Sequence, residues 1–118
     1  MKHDNLRDRT KKFALDVIRF TESLPKTQTA SHIGRQLLRC GTSVGANYRA
    51  ACRAKSSADF IHKMGTVEEE ADEAEYWMEL LVDGGIVAED SLSQLKAEAR
   101  ELLAITITSI KTAKNKPG

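Results

Sequence analysis

Aromatic residues are scarce in this chain, at 5% of 118 positions, so platforms on which nucleobases could stack are few. Two prolines and seven glycines leave little room for turns. No apolar run approaches the roughly 18 residues of a membrane span. The basic start MKHDNLRDRTKK lacks an apolar signal core, so the expected compartment is the cytoplasm, with no membrane partner. There are two cysteines, Cys40 and Cys52. On one helix they would lie about 18 Å apart, too far to bridge, and they read as free thiols packing like small apolar side chains. No phosphate-binding loop is present, because GTSVG at 41–45 belongs to a helix with no strand before it. His3, His32 and His62 have no nucleophile or acid at a diagnostic spacing. Asp59-x-x-His62 is a lone echo of the Glu-x-x-His repeat that carboxylate-bridged metal bundles need twice. Neither enzyme activity, nor a cofactor, nor a metal is expected.

What remains is helical. Hydrophobic residues make up 41% and charged residues 30%, with Ala, Leu, Glu, Lys and Arg recurring at helical spacing. The length suffices for one domain, residues 1–118, with its own core. Four helices are predicted, at about 4–24, 28–54, 57–83 and 91–114, forming an all-α, antiparallel up-down-up-down bundle. Leu6, Phe13, Val17, Phe20 and Leu24 make the first core stripe, with Ile18 beside it, and Pro25 ends the helix. Thr27 or Thr29 caps the second, whose stripe is Ile33, Leu37, Cys40, Val44, Asn47 and Ala51, with Leu38, Gly41, Gly45, Tyr48 and Cys52 alongside. Ser56-Ser57-Ala58-Asp59 is a capping box with Asp in place of Glu, opening the third helix. That helix buries Phe60, Met64, Val67, Ala71, Ala74, Met78 and Leu81, and Gly84-Gly85 stops it. Asp90 or Ser91 caps the fourth, and the tail from Asn115 to Gly118 frays. Leu103, Ile107 and Ile110 form a second apolar face on the fourth helix, more than one core needs, and so a predicted oligomer interface.

The candidate functional residues lie in the second and third helices. Each interior glycine costs about 1 kcal/mol of helix stability relative to alanine. Gly41 and Gly45, four residues apart, therefore point to close approach of another helix. Arg35, Arg39, Arg49 and Arg53 share one helical face, extended by Lys55, and guanidinium forks suit phosphate and carboxylate alike. Asn47 falls on the core stripe, where an amide needs partners; Ser43 and a carboxylate, Glu70 or Glu73, are available for a polar lock on helix register. Charge is segregated along the chain. Residues 1–55 carry twelve Lys/Arg against four Asp/Glu, a net +8. Residues 56–90 carry one against eleven, a net −10, and residues 91–118 five against two, a net +3. Either the arms neutralise one another, within or between subunits, or the basic arm meets a nucleic-acid backbone.

The segment LLRCGTSVGANYRAACRAKSSADFIHKMGTVEEEADEAEYWMELL, residues 37–81, strongly resembles the small bacterial four-helix-bundle proteins encoded by intervening sequences in 23S ribosomal RNA genes. Arg39, Ser43, Val44, Gly45, Ala46 and Asn47 match the family's first motif. Asp59 to Lys63 match a D-F-I-H-K helix start, and Glu70, Glu73, Tyr76, Trp77, Leu80 and Leu81 an E-x-x-E-T-x-Y-W-L-x-L-L pattern. Ala50 departs from a common Glu, and Ala74 from a common Thr. The resemblance implies an up-down-up-down bundle assembling as a homopentamer. It also implies kinship with the pentameric accessory protein of reverse transcriptase in diversity-generating retroelements. The family has no established activity, and its link to RNA rests on where its genes lie. Two functions follow as expectations: a non-enzymatic oligomer that contacts ribosomal or other structured RNA, or an enzyme bound to nucleic acid, through Arg35, Arg39, Arg49, Arg53 and Lys55; or a protein–protein scaffold or accessory subunit with no direct nucleic-acid contact.

Overall fold

The computed structural model describes residues 2–116. Its elements are α1 (Lys2–Glu22), α2 (Gln28–Cys52), α3 (Ser57–Asp83) and α4 (Ser93–Lys114), with a 3-10 turn at Glu89–Ser91 before α4. No strand occurs among the described residues. The expected frayed tail falls partly on Pro117 and Gly118, and the His3 side chain on the N-terminal edge; both lie outside the described residues.

Leu24 faces Gly34, Val17 faces Gly41 and Thr10 faces Gly45, so residue numbers run in opposite directions and α1 and α2 are antiparallel. Between α2 and α3, His32 meets Trp77 while Arg39 meets Glu70 and Glu73, again opposed. The 27 residues of α3 extend about 40 Å. The link at 84–92 could span at most about 32 Å fully stretched, so α4 must turn back along α3. The result is an antiparallel four-helix bundle of 51 × 21 × 20 Å. Contacts follow chain order, and only the α1–α4 seam is thin.

Local chemistry explains most helix ends. Thr27 Oγ1 accepts from the Ala30 N–H at 3.2 Å, capping α2. Ser56 Oγ accepts from the Asp59 N–H at 3.0 Å, while the Asp59 carboxylate accepts from the Lys55 N–H at 3.1 Å, one residue before the cap. Past α3, Gly85 takes a positive φ of 74°, and the Ile86 N–H closes onto the Leu81 carbonyl at 3.0 Å. Three ends differ from expectation. α1 stops at Glu22, since Pro25 pushes its predecessor out of helical geometry and Ser23 and Leu24 already turn. α2 stops at Cys52, where Arg53 and Ala54 lead into the extended cap of α3. α4 begins at Ser93 with no side-chain cap, because the Ser91 and Ser93 hydroxyls donate to the Ala88 and Asp90 carbonyls and the buried Leu92 fixes the entry.

The core holds Leu6, Phe13, Val17, Leu37, Val44, Tyr48, Met64, Val67, Met78, Leu81, Leu92 and Leu102, and small Ala51, Ala71, Ala74 and Ala99 let the helices close. Thr10 and Thr106 are buried too, each hydroxyl donating to a carbonyl of its own helix, Arg7 at 3.1 Å and Leu102 at 2.7 Å. Several expectations are corrected. Cys40 is buried, but Cys52 is exposed. Of the spare apolar face predicted on α4, Ile110 is buried and Leu103 packs against the core, whereas Ile107 is only half-buried. Among the described residues the exposed large apolar side chains are Leu15, Ile18, Leu38 and Tyr76.

Candidate nucleic-acid interface

The structure separates the five cations singled out from sequence. Arg39 is engaged: Nη1 donates to Glu70 Oε1 at 3.3 Å, Nη2 bonds Glu73, and Nε donates to Gln36 Oε1 at 3.4 Å. Glu73 also accepts from the Trp77 indole N–H at 3.0 Å, and the Trp77 ring stands edge-on to His32 and Tyr76. Arg39 thus ties α2 to α3. By contrast, Arg35, Arg49, Arg53 and Lys55 are exposed, and no described carboxylate pairs with their side chains.

Asn47 and Ser43 do not reach Glu70 or Glu73. The Asn47 Nδ2 donates to the Ser43 carbonyl at 2.8 Å, and the Ser43 hydroxyl to the Arg39 carbonyl at 2.7 Å, both within α2. Asn47 is only half-buried, so a bond to its own helix satisfies it. Glu70 and Glu73 sit opposite residue 39, about 12 Å along the helix from residue 47. The register contact across the α2–α3 seam is therefore made by Arg39.

Gly41 and Gly45 are buried against α1. A Cβ on Gly41 would lie 2.9 Å from Val17 Cγ2, and one on Gly45 would lie 3.2 Å from Thr10 Oγ1 and 3.4 Å from the Thr10 backbone carbon. Gly34 belongs to the same row, with Leu24 Cδ1 at 2.9 Å. Its spacing of two turns before Gly41 was the readable signal.

Outside this glycine seam runs a groove of about 380 Å³, lined by Arg7, Asp8, Lys11 and Ala14 of α1 and Thr42, Gly45, Ala46 and Arg49 of α2. Small residues floor it, and three cations flank it against one carboxylate. Arg7 and Lys11, exposed and one turn apart on α1, were missed from sequence because the register of α1 on α2 was not legible. Arg53 lies one turn beyond Arg49 and Lys55 just past it, in the turn to α3. Arg35 lies elsewhere, about 21 Å along α2 from Arg49, in a second cavity of about 230 Å³ with Thr21, Leu24, Lys26 and Leu38.

The acidic arm is equally unspent. Glu70 and Glu73 take Arg39, and Glu75 takes Arg100 of α4. Glu68, Glu69, Asp72 and Asp83 pair with no described cation, and Glu79 acts on Arg100 without an ion-pair contact. Across the thin α1–α4 seam, Arg9 forks onto Glu98 at 2.7 and 3.1 Å and reaches Glu101 at 3.1 Å; its hydrogen bond to Glu98, against some desolvation, raises its pKa further. The Lys63 ammonium and the Lys55 N–H hold the Asp59 carboxyl below its ordinary value. Burial pushes the Cys40 thiol up to about 12, so it stays protonated at neutral pH and is a poor nucleophile. No group of three His, Cys, Asp or Glu among the described residues could hold a metal ion, and no described helix is long and apolar enough to cross a membrane.

These features define a class: an all-α bundle whose basic and acidic surfaces remain largely unpaired within the chain. The family model of the 23S rRNA-intervening sequence protein matches residues 4–108, and the chain belongs to that family. A crystal structure of a protein of unknown function from the S23 ribosomal protein family of Bacteroides thetaiotaomicron VPI-5482 is similar throughout. It shares 34% identity over 94% of this chain and 99% of that one, with a TM-score of 0.87. No curated protein matches the sequence.

Proposed function

We propose that this protein is a non-enzymatic, oligomeric RNA-binding bundle that grips the phosphate backbone of structured RNA with the Arg7, Lys11, Arg49, Arg53 and Lys55 end of its α1–α2 surface. The observation that carries this is the groove between α1 and α2, where Arg7, Lys11 and Arg49 converge and pair with no described carboxylate. Arginine and lysine so presented attract phosphates through counterion release without reading bases. The most exposed aromatic side chain, Tyr76, stands on acidic α3, away from this groove, which argues for backbone contact rather than base stacking. The family's name, which ties it to 23S rRNA, supports the same direction. Arg39 takes no part, since Glu70 and Glu73 occupy it. Arg35 contributes at most a distant contact.

The test is fluorescence anisotropy of a labelled RNA hairpin against salt. The expected result is affinity that falls linearly on a log–log plot, with a slope that drops by about one for each of Arg49→Gln and Arg53→Gln. The double variant Arg49→Glu/Arg53→Glu is expected to weaken binding at least tenfold while the circular dichroism spectrum stays unchanged. Unaltered affinity in that variant rejects the nucleic-acid reading. One observation favours the second reading, a protein scaffold or accessory subunit: the four unpaired acids of α3, Glu68, Glu69, Asp72 and Asp83, repel any RNA and suit a cationic protein surface.

A further inference from the structure

Among the described residues, only four large apolar side chains are exposed: Leu15 and Ile18 at 40%, Leu38 at 36% and Tyr76 at 53%. Three of them gather on one surface. Leu15 and Ile18 are one turn apart on α1. Leu38 of α2 lines the cavity at the α1–α2 loop end together with Thr21, which lies one turn from Ile18. The rim of this patch is mainly basic: Lys11 and Arg19 lie one turn to either side of Leu15, and Arg35 lies one turn before Leu38. Arg19 and Lys12 share Asp16, and Glu22 is the remaining acid nearby.

The fourth residue has the opposite setting. Tyr76 projects from the outer side of α3, with half-buried Leu80 one turn on and the acids Glu68, Glu69, Asp72, Glu73, Glu79 and Asp83 one or two turns away. Glu73 is engaged by Arg39 and Trp77, and Glu79 acts electrostatically on Arg100. An exposed aromatic among carboxylates, most of them without an ion pair, thus matches, in charge and in apolarity, an aliphatic patch rimmed by cations on another side of the same molecule.

We propose that the Tyr76 surface of α3 docks onto the Leu15–Ile18–Leu38 patch of a second copy of this chain, head to tail. This rests on the oligomeric part of the function proposed above and names the two surfaces that would build it. The contact joins two different patches, so a docked pair as a whole still offers one of each. Assembly of this kind closes into a ring or continues as a chain, and does not stop at a two-fold dimer. It also leaves Arg7, Arg49 and Arg53 at the other end of the α1–α2 surface free for RNA, with Lys11 on the border between the two surfaces.

Sedimentation velocity on the full chain tests it. The wild type is expected to run well above the 13.1 kDa of one chain. Leu38→Asp removes one surface and Tyr76→Lys the other, so each variant alone is expected to run as a monomer with its melting temperature little changed. Mixed in equal amounts, they retain one complementary pair of surfaces and are expected to form a dimer that neither forms alone. Should Leu38→Asp fold poorly, Ile18→Asp serves with the same expected outcome. An oligomeric wild type whose variants assemble unchanged, or a mixture that stays monomeric, overturns the head-to-tail assignment while leaving oligomerisation intact. A monomeric wild type overturns both and leaves these surfaces to partners of other sequence. Hairpin RNA affinity, measured separately on the monomeric variants, reports on the RNA reading independently.

Discussion

α2 meets its two neighbours in opposite ways. Toward α1 it presents a row of glycines, 34, 41 and 45, and no ion pair crosses the seam among the described residues. Toward α3 it presents Arg39 and His32 to a polar and aromatic cluster of Glu70, Glu73 and Trp77. The first seam is held by shape, through close-packed contacts that are individually tiny and collectively large. The second adds direction, since a guanidinium between two carboxylates fixes which turn faces which. Shape tolerates no added atom, whereas an ion pair near water is worth little to stability. The two seams should therefore respond very differently to mutation.

The largest effect is expected at Gly41. Val17 is fully buried and stiff at χ1, so its methyls, 2.9 and 3.0 Å from an added Cβ, cannot swing aside. Gly41→Val should cost about 3 kcal/mol, the upper range for overpacking a tight core. Gly41→Ala should still cost about 1 kcal/mol net, although alanine alone would favour the helix by a similar amount. A double-mutant cycle is decisive: with Val17→Ala in place, Gly41→Ala should turn neutral or stabilising in urea unfolding. If Gly41→Ala is equally tolerated with and without Val17, the glycine row is not what holds α1.

At the other seam, Arg39→Ala removes the cross-link and leaves Glu70 and Glu73 facing each other one turn apart. Arg39 is about half exposed, so the loss should be about 1 kcal/mol and should shrink in 1 M salt as screening weakens the wild-type pair. The Trp77 indole keeps its bond to Glu73, and its fluorescence is the probe. A loss as large as that at Gly41, or one indifferent to salt, would erase the distinction between the seams.

What the sequence disclosed follows the same division. Apolar spacing alone located nearly every buried residue, because a helix that buries Val17, Leu37, Met64 or Leu102 must repeat at 3.6 residues. Caps at Thr27 and Ser56 were legible because they depend on neighbours two or three residues away. Contacts between helices were not. Spacing offered Glu70 and Glu73 to Asn47, yet Arg39 is the residue that reaches them, because reach depends on axial offset, a tertiary quantity. For the same reason Arg7 and Lys11 escaped the basic set, and Arg35 was counted into a patch from which it is about 21 Å removed. On α4, how much of the second apolar face the bundle covers was likewise not legible: Ile110 is buried and Leu103 packs against the core, while Ile107 stays half-buried.

The smallest expected effect has the opposite sign. Gly65 lies inside α3, half-buried, and an added Cβ would find nothing within 4 Å. No close approach accounts for this glycine, so it carries the intrinsic cost of glycine in a helix without the return that Gly41 provides. Gly65→Ala should raise stability by about 0.5–1 kcal/mol, a rise in melting temperature of roughly 4 °C. The same substitution at two helical glycines thus changes sign according to whether another helix is in contact. Thermal melts of Gly41→Ala and Gly65→Ala side by side would measure this, and a shift in the same direction for both would mean that backbone propensity, not the seam, governs both positions.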